Sequence, residues 1–154
     1  MYAPDEITHT ARRMVQNVIG SDIMQLGRMV VRELDIAFND LDLTGSQIVL
    51  LAHIGSERGT ARSIEISAAL NIEKSTMSRN LKRLVALGLI HIGPSGGRQG
   101  KTLTLTKSGA EILNRVEVRW RAVNDRIAAV LGEDNCRAVR DMIERMHKRP
   151  HTCS

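Results

Sequence analysis

Lys74, Ser75, Thr76, Ser78, Arg79, Lys82 and Arg83 crowd small hydroxyls and long cations into a single stretch. Met77, Leu81 and Leu84 alternate with them at i, i+4 and i+7, the spacing of one helical face. The apolar stripe therefore turns inward and the hydroxyl-cation set turns outward. Small hydroxyls allow a helix to approach the floor of a DNA major groove, and arginine or lysine one turn on can reach base edges or phosphates. Further along, Gly93-Pro-Ser-Gly-Gly-Arg-Gln-Gly-Lys101 places Arg98 and Lys101 between two β-like runs, Leu89 to Ile92 and Thr102 to Thr106. Cations on such a tip can follow a phosphate backbone or enter a minor groove. From Arg58 to Lys107 there are nine basic residues against two acidic ones, a balance of +7 in a chain whose total is +5. A basic centre between near-neutral arms is the footprint of a polyanion-facing module.

Other chemistry is weaker. Ser95 stands where a P-loop needs its first glycine, and the segment feeds a strand rather than opening a helix. His147, His151 and Cys153 are separated by Pro150, which breaks helical i, i+4 ligand geometry, so no metal site is expected. Cys136 falls on an apolar helical face and reads as an inert buried thiol. His53 lies inside an apolar helix and reads as a packed or capping residue. No acid/base pair or nucleophile elbow is present, so neither an enzyme nor a cofactor is expected.

The elements that position the basic helix follow from periodicity and caps. Ile7, Ala11, Met14, Val15, Val18 and Ile19, then Ile23 to Ala37, predict a helical arm, with Gly20-Ser21 as a break or bend. Thr44-Gly-Ser-Gln47 is a capping box opening a helix through Ile54. Ser63 is the predicted N-cap of a short helix ending at Leu70, and Asn71 sits where a tight turn wants positive φ. The basic helix runs from about Lys74 to Leu87, with Gly88 as its stop. Thr106 is the next N-cap. After it, Leu113, Val116, Trp120, Val123, Ile127 and Val130 or Leu131 form a coiled-coil-like seam. Cys136, Val139, Ile143 and Met146 line a last helix ended by Pro150.

Short helix, turn, basic helix and hairpin make a winged helix-turn-helix. The expected fold is mainly α with a small β-hairpin wing, flanked by N- and C-terminal helices. The segment from Ser63 to Ile90, with Lys-Ser-Thr-Met-Ser-Arg-Asn-Leu from 74 to 81, resembles the helix-turn-helix of MarR-type transcriptional regulators. Leu43-Thr-Gly-Ser-Gln47 and Leu105-Thr-Lys-Ser-Gly109 resemble the family's L-T-x-x-Q and L-T-x-x-G signposts. The resemblance implies an obligate homodimer whose terminal helices interleave and whose winged domains each meet half of a pseudo-palindromic site. Residues 1–39 would then be N-terminal dimerisation helices, 40–106 the DNA-binding domain, 107–149 C-terminal dimerisation helices and 150–154 a flexible tail. The implied interface takes in Ile7, Ala11, Met14, Leu113, Val116, Trp120, Val123, Ile127, Val139 and Ile143. It also implies an effector pocket between the dimer helices and the winged domain, which Met14, Met24, Met29, Met142 and Met146 could wall. Two departures stand out. The wing lacks the family's Asp-x-Arg acid, and His91-Ile92 stands where the family often has Glu-Arg.

Tyr2, Phe38 and Trp120 are the only aromatics, so the core must be aliphatic, a palette that favours helices over a β-sandwich. The charge-poor runs are too short to span a bilayer, and Asp5 and Glu6 stand where a secretory apolar region would be. A cytoplasmic setting without a membrane partner is expected. The sequence thus predicts a homodimeric DNA-binding transcriptional regulator, a repressor released by a small-molecule effector. The rival from another class is a receptor or adaptor of the same fold that has lost specific DNA binding; the intact basic helix and wing weigh against it.

Overall fold

A computed structural model describes residues 4–16, 18–57, 61–95, 97 and 100–148. Seven α-helices, one 3-10 turn and three short strands are present among them. In chain order these are α1 (Pro4–Val15), α2 (Ile19–Ala37), a 3-10 turn (Asn39–Leu41), α3 (Gly45–Ser56), β1 (Ala61–Arg62), α4 (Ser63–Ala69), α5 (Lys74–Ala86), β2 (Ile90–Ser95), β3 (Lys101–Leu105), α6 (Lys107–Leu131) and α7 (Glu133–His147). This is the mainly helical winged architecture the sequence predicts.

The core is centred on α3, which is apolar on most of its circumference. Ile48, Leu50, Leu51 and Ile54 are all buried, as suits a helix surrounded on several sides. Its capping box is formed in full: Thr44 Oγ1 accepts from the Gln47 amide at 3.2 Å, and Gln47 Oε1 accepts from the Thr44 amide at 3.1 Å. Ile66 of α4, Met77, Leu81 and Leu84 of α5, and Ile90 and Leu103 of the wing close on the same core. So do Leu34 and Phe38 at the end of α2, and Val116 and Val123 of α6. One core thus runs from the α2 C-terminus through the winged unit into α6.

β3 is the central strand, antiparallel to both β1 and β2. The two-residue β1 carries no periodic signal, and sequence reasoning missed it. It pairs Ala61 with Leu103 and Arg62 with Thr102, and the Arg62 guanidinium donates to Thr102 Oγ1 at 3.0 Å. At the C-terminus of α5, Gly88 adopts φ +68°. The Leu89 amide then reaches Leu84 O and the Gly88 amide reaches Val85 O, a Schellman closure. Thr106 accepts from the Gly109 amide and donates to Gly88 O at 2.7 Å, so one hydroxyl starts α6 and ties it to the end of α5. A Cβ on Gly109 would lie 2.2 Å from Leu89 O, which gives the second signpost its steric reason.

Three local expectations are corrected. The arm breaks before α2, at Val18 with φ −101° and ψ 98°, and Gly20 and Ser21 lie inside the first turn of α2. A Cβ at position 20 would meet nothing within 4 Å, so packing does not demand glycine there. Ser63 is the first residue of α4 rather than its N-cap, because its Oγ is engaged by the Lys101 amide of the wing at 2.9 Å. The α6 seam is turned largely onto the chain itself. Val116 and Val123 are buried, and Leu113, Trp120 and Ile127 pack against the core, so a partner could reach little of them. A 3.5-residue repeat reports that a face is covered, not what covers it. Among the described residues no helix is long and apolar enough to cross a membrane.

Candidate nucleic-acid interface

The turn that launches α5 is fixed by local hydrogen bonds. Asn71 takes φ +49°, the Ile72 amide donates to Ser67 O at 2.9 Å, and Ser67 Oγ donates to Ile72 O at 2.6 Å. Asn tolerates that left-handed conformation, while the Ser67 contribution was not foreseen from sequence. With Met77, Leu81 and Leu84 holding α5 to the core, Lys74, Ser75, Ser78, Arg79 and Lys82 face solvent and Thr76 is half-buried. Arg79 Nη2 donates to Thr76 Oγ1 at 3.3 Å, one turn back along the same face. Lys101 is exposed at the start of β3, on the wing side of this helix. Arg98 lies outside the described residues.

Arg83 differs from the other cations of α5. Its guanidinium pairs with the Asp42 carboxylate just before α3, across 41 residues of sequence. Asp42 itself is left-handed, with φ +52°. Arg83 is therefore engaged as a strut between the basic helix and the loop that follows α2.

The same loop is held from the other side by Arg119, which sequence reasoning did not single out. Arg119 Nη1 donates to Ala37 O at 3.1 Å and to Asp40 Oδ1 at 2.7 Å. Its guanidinium lies 5.6 Å from the Phe38 ring centroid, and Phe38 stacks on Trp120 at 6.2 Å. The hydrogen bond from Arg119 holds the Asp40 carboxyl below its ordinary value of 3.8. A loop between α2 and α3 is thus tied to both α5 and α6. The signal was only a pair of aspartates in Asp40-Leu-Asp42, which says nothing of partners so distant in sequence.

The arms present apolar surface that the chain does not cover. Met14 of α1 is 71% exposed, Ile23 of α2 51% and Ile143 of α7 52%. Ile7 and Ala11 are exposed as well, Val139 is half-buried, and α7 contributes no buried residue. The five methionines considered for an effector pocket are all exposed. A cavity of about 740 Å³ lies elsewhere, between α4, α5 and the wing. A shallower one of about 470 Å³ runs along α2 beside Arg28, Arg32 and Ile36. His53 and Cys136 are half-buried, so Cys136 is not the fully buried thiol expected. Among the described residues, no group of three or more His, Cys, Asp or Glu is placed to hold a metal. His147 is exposed at the end of α7, and His151 and Cys153 lie outside the described residues.

Fold and basic helix define a winged helix-turn-helix protein, similar in fold to solved MarR-type regulators. Residues 41–99 match the sequence model of the MarR family, and the whole fold is that of MarR-type transcriptional regulators. BpsR of Bordetella bronchiseptica, whose DNA binding is regulated by 6-hydroxynicotinic acid, is 18% identical with a TM-score of 0.74, over 88% of this chain and 97% of that one. CouR of Rhodococcus jostii RHA1, solved bound to p-coumaroyl-CoA, is 16% identical with a TM-score of 0.73, over 90% and 96%. A mutant MarR from E. coli, solved with operator DNA, is 20% identical with a TM-score of 0.71, over 88% and 96%.

Proposed function

We propose that this protein is a sequence-specific DNA-binding transcriptional regulator, a repressor that acts as a homodimer and is released from its operator by a small-molecule effector. The observation that carries the reading is the outward face of α5, where Lys74, Ser75, Ser78, Arg79 and Lys82 are exposed while three apolar residues anchor the helix behind them. Hydroxyls at the N-terminal turn give close approach, Arg79 is the base-edge reader, and Lys82 and Lys101 meet phosphates. Arg98 is assigned to the wing contact on its sequence position alone. Thr76 supports Arg79 by accepting its hydrogen bond.

The dimer is supported by uncovered apolar residues on α1, α2 and α7, more than an isolated soluble monomer ordinarily leaves to water. With Ile7, Ala11, Met14, Val139 and Ile143 covered by a second copy, two basic helices would face one duplex. Effector release rests on the likeness to BpsR and CouR, whose structures concern small ligands. An effector that binds one arrangement of the two heads better than the other shifts the dimer away from DNA.

The test is anisotropy titration against DNA from the region upstream of its own coding sequence, with random DNA as control, across a salt series. Tight binding to the upstream DNA with a steep salt slope is expected, because phosphate neutralisation releases counterions. Weak, equal binding to both DNAs would overturn the reading.

A further inference from the structure

α5 carries Lys74, Arg79, Lys82 and Arg83 and no acidic residue. Arg79 and Arg83 are four residues apart, so they stand one turn from each other on the outward side. Their partners differ in charge. Arg79 donates to the Thr76 hydroxyl at 3.3 Å, which leaves its positive charge uncompensated. Arg83 pairs with the carboxylate of Asp42, 41 residues away on the loop before α3. Among the described residues, no carboxylate pairs with Lys74, Arg79 or Lys82.

Stability does not account for the pair. The Arg83 and Asp42 side chains are 43% and 76% exposed, and ion pairs so open to water add little to a fold. Asp42 takes φ +52°, a left-handed conformation that glycine or asparagine serves as well. The turn therefore does not call for a carboxylate; the arginine does. We propose that Asp42 is a specificity-determining residue, which withholds the Arg83 guanidinium from DNA phosphates. This rests on the regulator reading above. Phosphates occur at every register of a duplex, so each free cation on α5 strengthens binding to any sequence. Neutralising one beside the reading face removes that increment, while Ser75, Ser78 and Arg79 keep their access to base edges. On the specific site, base contacts fix the register, and a freed Arg83 gains a phosphate only if that register offers one. On random DNA the chain settles wherever one is offered. Asp42 thus lowers random binding more than specific binding, and the ratio of the two is what distinguishes a site in a genome.

Anisotropy titrations of wild type, Asp42→Asn, Arg83→Gln and the double variant, on the upstream duplex and a random duplex across a salt series, test the assignment. Asparagine tolerates the left-handed φ, so the turn is kept. Asp42→Asn should tighten random binding about five- to tenfold per copy at about 0.1 M salt and steepen the log–log salt slope by about 0.9 per copy, the mark of one more phosphate neutralised. Its gain on the upstream duplex should be smaller. Made in the Arg83→Gln background, the same change should give less than about twofold and no change in slope, because no guanidinium is there to release. All three variants lack the ion pair, and only Asp42→Asn frees a cation, so any shared damage to the fold cancels in the comparison. An equal gain in both backgrounds would assign the effect to the lost negative charge alone and overturn the inference. So would no gain from Asp42→Asn, or equal gains on both duplexes in a protein that prefers the upstream one. Specific wild-type binding that Asp42→Asn leaves unchanged overturns this inference and spares the regulator reading. Equal wild-type binding to both duplexes, with a gain that requires Arg83, does the reverse: the regulator reading fails, and Asp42 still withholds Arg83 from a polyanion.

Discussion

The winged unit and the helical arms solve the burial of apolar surface in opposite ways. In the winged unit, α3, α4, α5 and the three strands meet around Ile48, Leu50, Leu51, Ile54, Leu84 and Leu103, and the exposed apolar surface gathers at Ile64, Val85 and Ile92. In the arms, α1, the first half of α2 and α7 keep Met14, Ile23 and Ile143 in water. On the proposed regulator reading, a head that must hold one geometry before it meets DNA completes its own core. In the proposed dimer, arms completed by a second copy would make assembly a condition of stability. Where the two regions meet, the shared apolar core of Leu34, Phe38, Val116 and Val123 is flanked by a polar joint: Asp40 and Asp42, gripped by Arg119 from α6 and Arg83 from α5.

The largest test of this contrast is a core truncation. Leu51→Ala, at a fully buried position, should destabilise the fold by about 2–5 kcal/mol, independent of protein concentration. Ile143→Glu on α7 should instead lower the melting temperature by an amount that depends on protein concentration, because it acts through association. Equal, concentration-independent losses from both would erase the distinction between head and arm.

Next in size is Arg79→Ala. It should cost about 1–3 kcal/mol of binding to the specific site and leave random DNA nearly unaffected. An equal loss on both DNAs would reduce Arg79 to a phosphate contact. Thr106→Val, which removes the cap on Gly109 and the bond to Gly88 O, should cost about 1 kcal/mol in chemical denaturation. No change would mean that the α5–α6 link is dispensable.

The smallest effect lies at the joint. Asp40 titrates below its ordinary value of 3.8 when folded, owing chiefly to the bond from Arg119. A carboxyl depressed by folding adds stability that is fully present above the unfolded value and is lost as pH falls through the folded one. Asp40→Asn should therefore be the less stable protein at neutral pH, with the gap to wild type closing as the solution is acidified below that range. A gap constant with pH would remove the ion pair from the joint.

The division between what sequence reading reached and what it missed follows the range of the interactions involved. The Thr44–Gln47 box, the Thr106 cap, the left-handed Asn71 and the glycine stop at Gly88 are set by residues within a few positions of one another, and all were legible. So was the inward stripe of α5. What failed depended on distant partners. Ser63 carries an N-cap side chain, but the Lys101 amide claims it from 38 residues away. β1 is too short to show alternation and exists because β3 offers it a ladder. The α6 seam announced a covered face correctly, yet its cover is α2 and the head core. At the candidate site, hydroxyls and cations could be assigned to one face of α5 from spacing alone. That Arg83 turns to Asp42, and that Ile64 and Ile92 floor a cavity beside the wing, required the fold.

Hydroxyl-radical footprinting on DNA from the chain's own upstream region tests the central claim most directly, that arms join two copies so two reading heads meet one duplex. The expected pattern is two protected patches, related by symmetry and centred about one helical turn or a multiple of it apart, both weakened by Arg79→Ala. A single patch, or diffuse protection that Arg79→Ala leaves unchanged, would contradict it.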